Sequence, residues 1–348
     1  MADWRQIAIG LNATLGDAIA KIDEGRLQTA LVVDSNDGLI GVVTDGDARR
    51  ALLRGKDLKT SIREVMSTNP MTLSVGTPRS SILAFMREHG IHQVPIIDRT
   101  GRIVALDHID DILQPQPRSN WVVLMAGGLG SRLLPLTEKT PKPMLAVGNK
   151  PILETILKSF IDQGFSQFFF SVNYKADAIQ QYFEDGARWG AKIEYLLEDK
   201  RLGTAGALSL LPKVPTEPII IMNGDVLTRA NFAQILEHHV AHNSPATMVV
   251  REYETQIPFG VVTMDGNRIH AIVEKPIQRH YVNAGMYVLS PSVLKHVPKN
   301  TFFDMPSLFA ALLKHEEAPV AFPLRDYWLD IGQIAELERA QQEWDASS

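Results

Sequence analysis

Midway along the chain an apolar run, "WVVLMA" (121–126), passes directly into "GGLGSRLLPLTEKTPKPML" (127–145). A short apolar run bounded by turn signals reads as a buried strand. Glycines at its carboxyl end let backbone N–H groups approach an anion. Two common phosphate loops fail here. A dinucleotide loop needs G-x-G-x-x-G, and Gly127, Gly128 and Gly130 have the wrong spacing, which excludes hydride transfer on such a fold. A P-loop needs Lys-Ser or Lys-Thr directly after its last glycine, and Gly130 is followed by Ser131 and Arg132. What remains is a loop with Arg132, a rigid fork for phosphate oxygens, and Lys142, held extended between Pro141 and Pro143.

After Trp121 apolar strands alternate with helices: "QFFFSVNY", "IEYLLE", "PIIIMNGD", "ATMVVREY" and "AGMYVLS" read as strands. "PILETILKSFIDQG" is a helix with Ile152, Ile156 and Phe160 on one face, Pro at its start and Gly at its end. "IAELERAQQEW" is a C-terminal helix. This alternation predicts an α/β fold, a largely parallel sheet covered on both faces.

Composition narrows the function. The 348 residues include no cysteine, which excludes disulfides, thiolate nucleophiles and zinc–cysteine sites. A net charge of −5 argues against a bulk grip on nucleic acid. Runs such as "PIIIM" are too short to cross a bilayer, and "MADWRQIAIG" lacks a basic stretch leading into a long apolar one. A cytoplasmic protein, with neither nucleic acid nor membrane as partner, is expected.

Residues 1–113 hold an internal repeat. "GLIGVVTDGD" (38–47) aligns with "GRIVALDHID" (101–110), an offset of 63 residues. A unit that occurs twice suggests a pseudo-two-fold pair. Residues 114–120, "QPQPRSN", read as a linker because alternating prolines block regular hydrogen bonding. The expected domains are therefore 1–113, linker 114–120 and 121–348.

"LMAGGLGSRLLPLTEKTPKPML" (124–145) resembles the pyrophosphorylase signature of the sugar-1-phosphate nucleotidylyltransferases. "LGTAGAL" (202–208), "NGD" (223–225), "EKP" (274–276), "VNAGMYVL" (282–289) and "YWLDIG" (327–332) follow in that family's order. The resemblance covers about 121–345. It implies a Rossmann-like mixed sheet and the reaction NTP plus sugar 1-phosphate giving NDP-sugar plus pyrophosphate. Asp225 and Asp330 would hold Mg²⁺, a hard cation suited to carboxylate oxygens. Lys142 and Lys275 would flank the reacting phosphates, and Arg132 would stabilise the departing pyrophosphate. Leu124, Ala126, Gly127, Gly128, Gly130, Gly203 and Asn223 would bind the nucleotide. Glu274, Asn283 and Gly285 would form the sugar pocket.

By the same resemblance, Glu198 stands where uracil and thymine users carry Gln and related guanylyltransferases carry an acid. One carboxylate can accept both N1–H and N2–H of guanine, so GTP is the expected donor. The chain is similar both to mannose-1-phosphate guanylyltransferases and to glucosamine-1-phosphate guanylyltransferases of nonulosonic (legionaminic) acid synthesis. The N-terminal pair favours glucosamine 1-phosphate.

The repeat itself resembles a CBS pair, a Bateman module. In "GVVTDGDARRAL" Thr44 and Asp47 match the residues that hold the ribose of an adenine or guanine nucleotide effector, although Thr44 also suits a plain helix cap. The matching positions in the second repeat are read as Asp107 and Asp110, so one competent nucleotide site is expected, together with a homo-oligomer. His89, His92 and His108 are not expected to bind metal.

Overall fold

The computed structural model describes residues 3–345. The chain divides into two compact units, Met1–Pro115 and Gln116–Ser348.

The first unit contains β1 (Ala8–Gly10), α1 (Leu15–Gly25), β2 (Thr29–Val33), β3 (Leu39–Thr44) and α2 (Asp45–Leu53). It continues with β4 (Leu73–Ser74), α3 (Arg79–His89), β5 (Gln93–Ile97), β6 (Ile103–His108) and α4 (Ile109–Leu113). Each half makes a three-stranded sheet, β1-β2-β3 and β4-β5-β6, with a parallel and then an antiparallel pairing.

The ladders correspond at a spacing of 64 residues, which corrects the offset of 63. Val32 pairs with Gly41 as Ile96 pairs with Ala105. The turns agree. Asp34 accepts from the N–H groups of Asn36 and Gly38, and Asp98 from those of Thr100 and Arg102. The left-handed turn position is Asp37 in one copy and Gly101 in the other. Aligning glycine with glycine therefore slips the register by one. Leu39 N–H donates to the Gly101 carbonyl at 3.1 Å and Ile103 N–H to the Asp37 carbonyl at 3.0 Å, the reciprocal bonds of a pseudo-two-fold. The counterparts of Thr44 and Asp47 are thus His108 and Asp111, in place of Asp107 and Asp110.

The second unit runs β7 (Arg118–Met125), β8 (Ala146–Val147), β9 (Lys150–Pro151), α5 (Ile152–Ile161), β10 (Phe165–Val172), α6 (Ala176–Phe183), β11 (Lys192–Leu197), α7 (Gly203–Gly206) and β12 (Ile219–Asn223). It goes on through β13 (Val226–Thr228), α8 (Phe232–Ala241), β14 (Ala246–Gln256), β15 (Val261–Asp265), β16 (Arg268–Val273), β17 (Ile277–Leu289), α9 (Met305–Lys314), β18 (Val320–Leu324), β19 (Trp328–Asp330) and α10 (Ile334–Asp345). Arg118–Asn120, read above as linker, already belong to β7, where Arg118 pairs with Phe165. Only Pro115 and Pro117 lack the N–H a ladder needs, and both precede the strand.

A seven-stranded sheet has the order β11-β10-β7-β12-β17-β14-β18. The first four strands are mutually parallel, and β17 is antiparallel to both of its neighbours. One cluster gathers Phe160, Phe165, Phe168, Phe170, Phe183 and Phe232 with Leu124 and Met222, and a second gathers Val123, Ile219, Ile221, Leu308 and Leu312. Neighbouring strand residues such as Val123 and Leu124 fall into different clusters because strand side chains alternate between faces. Ile152, Ile156 and Phe160 all turn inward from α5.

Beyond Arg251, β14 and β17 pair only with each other, from Glu252–Tyr281 to Gln256–Ile277, and the β15–β16 hairpin lies between them in sequence. Of this arm the strand patterns read from sequence reach only Glu252 and Tyr253, the end of "ATMVVREY".

Candidate active site

From β7 the sheet grows through β10 and β11 on one side and through β12 on the other, so the direction of winding reverses between β7 and β12. Open α/β sheets bind ligands outside the carboxyl ends of their strands at such a point. Gly127 and Gly128 follow β7 there, and Asn223–Asp225 close β12.

Two carboxylates meet beside them because of a short ladder. Val226 of β13 pairs with Asp330 of β19, and Ile331 N–H donates to the Asp225 carbonyl at 3.0 Å. Lys142 is 7% exposed and pairs its ammonium with the Asp225 carboxylate. Desolvation, then the Asp225 charge, push the Asp330 carboxyl above the usual carboxylate range, while Lys142 and Arg132 oppose the shift. One ammonium between two carboxylates leaves a local negative excess. Hard oxygen donors with that excess fit a divalent cation such as Mg²⁺. Arg132 lies on an exposed turn, where one of its terminal nitrogens sits 3.4 Å from where a Cβ on Gly332 would be. Glu336 accepts from the N–H groups of Gly332 and Gln333, both at 2.7 Å, and ties down the loop after Asp330.

A cavity of about 190 Å³ adjoins this cluster, lined by Met125, Gly127, Gly128, Glu198, Gly203 and Asn223 with Asp225. Glu198 follows β11 directly. Its carboxylate accepts from the Ser171 hydroxyl and, at 2.9 Å, from Leu202 N–H. A side chain at Gly127 would press on that carboxylate, its Cβ 3.2 Å from Oε1. The buried Asn223 Oδ1 has no hydrogen-bond partner among the described residues. Gly203, at φ +77°, lets the 202–206 loop lie against Phe303, whose carbonyl would be 2.7 Å from a Cβ there. Gly285, at φ +72°, leaves room for the Asn223 amide, and Asn283 braces that bulge by accepting from Gly285 N–H at 3.0 Å.

Three residues expected at the nucleotide have structural duties of their own. Leu124 is fully buried, its backbone laddered on both sides. Ala126 gives its N–H to the Ser171 carbonyl at 2.8 Å. Gly130, at φ +63°, is needed for packing, since a Cβ would lie 2.8 Å from Thr137 and 3.0 Å from Lys142. Glu274 and Lys275 follow β16 on the arm, both exposed, and no hydrogen bond or ion pair among the described residues joins them to Asp225, Asp330 or Lys142. Arg201, Thr204 and Phe302 also line the cavity, and Ser171 holds the Glu198 carboxylate; none of the four is among the residues read from sequence. Ser171, a hydroxyl inside the apolar "QFFFSV", was the visible signal.

In the first unit Thr44 and Asp47 line a cavity of about 480 Å³ together with residues of both repeats, among them Gln28, His92 and Pro95. They also form a reciprocal cap on α2, and Asp47 pairs with Arg50 at 2.5 Å. The Thr44 hydroxyl and both backbone N–H groups point into this cap, which holds the Asp47 carboxyl below its ordinary range against the cost of burial. Among the described residues no group of three or more His, Asp or Glu is placed to hold a metal ion, and no helix is long and apolar enough to cross a membrane.

A phosphate-type loop and a carboxylate pair at the switch point of a mixed sheet define a nucleotide-handling α/β unit. The chain belongs to the Nucleotidyl transferase family, which matches residues 121–347, and residues 4–54 and 62–114 match the CBS domain. It is similar to the Mannose-1-phosphate guanyltransferase of Pichia angusta, 32% identical over 231 residues, 61% of this chain and 60% of that one. Mannose-1-phosphate guanylyltransferase catalytic subunit beta of Drosophila melanogaster is 33% identical over 218 residues, 61% of this chain and 59% of that one. The chain thus spans about 60% of the length of the curated relatives it matches. The crystal structure of HddC from Yersinia pseudotuberculosis complexed with GMP-PN matches with a TM-score of 0.51 and 27% identity, covering 65% of this chain and 99% of that one.

Proposed function

We propose that the protein is a sugar-1-phosphate guanylyltransferase. An oxygen of the sugar phosphate attacks the α-phosphorus of GTP, the bond to the bridging oxygen breaks, and pyrophosphate leaves. Both reactants are anions, so the chain's work is alignment and charge neutralisation. The observation that carries this reading is the cluster of Lys142, Asp225 and Asp330 beside the glycine loop at the sheet's switch point. In this reading Lys142 turns from Asp225 to the α-phosphate and Arg132 holds the outgoing pyrophosphate. Asp225 and Asp330 would hold Mg²⁺, which supplies a positive charge for the phosphate oxygens. The N–H groups of Gly127 and Gly128 face the triphosphate, Glu198 reads the guanine edge, and the unpartnered Asn223 oxygen accepts from the bound nucleoside.

For the acceptor, the CBS pair in front of the transferase supports glucosamine 1-phosphate, while the printed names of the relatives support mannose 1-phosphate. A matrix of five nucleoside triphosphates against mannose, glucosamine, glucose and N-acetylglucosamine 1-phosphates, read as pyrophosphate release, tests both points. Turnover confined to GTP is expected, and inactivity of every GTP pair sinks the reading. The Thr44–Asp47 cavity is the proposed seat of a nucleotide effector. Calorimetric titration with AMP, ADP, ATP and GMP, each followed by an assay, tests it. Absence of both binding and rate change would leave the pair a scaffold.

A further inference from the structure

Phe302 and Phe303 stand side by side in the segment before α9, with different surroundings. Phe303 packs against the second apolar cluster, while Phe302 is 61% exposed. A lone apolar side chain on a surface is ordinary. Phe302 differs in how firmly the chain around it is held. Phe303 N–H donates to the Leu202 carbonyl at 2.8 Å, and the Phe303 carbonyl accepts from Ala205 and Gly206 N–H at 3.0 and 2.7 Å. Met305 N–H donates to the Thr204 hydroxyl at 3.0 Å. Gly206 has no side chain where Thr301 passes, whose carbonyl would be 2.6 Å from a Cβ there. The segment 301–305 is thus tied to the 202–206 loop, and it holds in the open a ring that the core does not use.

That ring borders the cavity beside Glu198, and among the described residues it is the one aromatic side chain in the lining. Gly127, Gly128 and Gly203 supply backbone there but no side-chain surface for a flat ring. The edge of the Phe302 ring lies 3.3 Å from where a Cβ on Gly203 would be, so ring and bare loop are contiguous. Glu198 is tied to the same segment. Its carboxylate accepts from Leu202 N–H at 2.9 Å, and the Leu202 carbonyl accepts from Phe303 N–H. Two hydrogen bonds through one residue therefore link the carboxylate to the backbone that carries the ring.

We propose that Phe302 is a specificity-determining residue of the transferase, a platform against which the face of the bound base rests while Glu198 reads its edge. The inference rests on the guanylyltransferase reading above and adds a second source of selectivity to it, a preference for purines over pyrimidines through ring area. Stacking on an aromatic side chain accepts any base, because every base has a π-face. A two-ring purine covers more of the platform than a one-ring pyrimidine, and the gain grows with the apolar area removed from water. Edge hydrogen bonds at Glu198 then separate guanine from the other purine.

Phe302→Leu keeps an apolar side chain and removes the π-face. At so exposed a position it is expected to melt with the wild type. KM for GTP is expected to rise about tenfold, the loss of one base–aromatic stack, while kcat and KM for the sugar 1-phosphate change less than about twofold. Phe302→Tyr is expected to restore KM. An unchanged KM for GTP in Phe302→Leu, or a fall in kcat alone, overturns the proposal. A second readout needs no turnover. In Phe302→Trp the indole takes the place of the platform, so GTP with Mg²⁺ and no acceptor is expected to quench more tryptophan fluorescence than it does in the wild type. Quenching equal to the wild type at saturating GTP overturns the proposal. Should the wild type be inactive with every substrate pair, the transferase reading falls, and the indole still decides: extra quenching by GTP or ATP keeps a purine against residue 302, and none by either overturns the platform.

Discussion

Lys142, nearly buried, holds its ammonium against the carboxylate of Asp225 across 83 residues of sequence. The contact exists because Gly130 lets the Thr137–Lys142 segment pack beneath the glycine loop while β12 delivers Asp225 to the same crevice. A lysine so placed is a local counter-charge that an incoming phosphate can take over.

Replacing Lys142 with Met keeps the apolar stem and removes the charge. Loss of one preorganised cation is expected to lower kcat by about 10²–10³, the range seen when a single oxyanion donor is lost. Circular dichroism is expected to be unchanged.

Asp330 is expected to trade stability for function. Its folded carboxyl is raised above its ordinary value by desolvation and by Asp225, so its ionised form opposes folding once pH exceeds the folded pKa, and that cost vanishes below the unfolded value. Asp330→Asn is therefore expected to abolish activity yet melt at or above the wild-type Tm at pH 7. The advantage should fade as pH falls toward 4. A lower Tm at pH 7 would contradict the placement.

Glu198→Gln tests base reading. The Ser171 hydroxyl and Leu202 N–H position the carboxylate, and an amide cannot accept two guanine N–H groups in the same way. The ratio of kcat/KM for GTP to that for UTP is expected to fall at least tenfold, about 1.4 kcal/mol.

His239 gives the transferase unit a pH-sensitive fold. It is 1% exposed. Its Nε2 lies 3.0 Å from Ser290 Oγ, which donates to the Ser244 carbonyl, so Nε2 is the donor and Nδ1 accepts from Thr247. Burial, then His238, push its pKa down to about 4. The unfolded chain takes up the proton first, so stability falls as pH drops from about 6.5 toward 4, by up to about 3 kcal/mol. Urea midpoints at pH 7 and pH 4.5 are expected to differ more in the wild type than in His239→Gln.

Gly203→Ala is expected to cost about 1–3 kcal/mol, because a side chain at φ +77° is strained and its Cβ would meet the Phe303 carbonyl at 2.7 Å. The displaced loop bears on the base cavity, so KM for GTP should rise more than kcat falls.

Much of this site could be read from the sequence. Strand-end positions exposed Asp225, and motif order pointed to Asp330, Arg132 and Lys142. What brings the aspartates together, the β13–β19 ladder, joins two three-residue strands too short to carry a periodic signal. The repeat register slipped by one because a glycine marks the turn in one copy while Asp37 takes the left-handed position in the other. The arm escaped notice because neither of its faces is buried, so no alternation of apolar and polar residues marks it.

Following label from GTP tests the central claim most directly. With [α-³²P]GTP, Mg²⁺ and an accepted sugar 1-phosphate, the label is expected in the nucleotide sugar, with one pyrophosphate released per label transferred. Label recovered in GDP with release of orthophosphate, or no transfer to any sugar 1-phosphate, would contradict guanylyl transfer at the α-phosphorus.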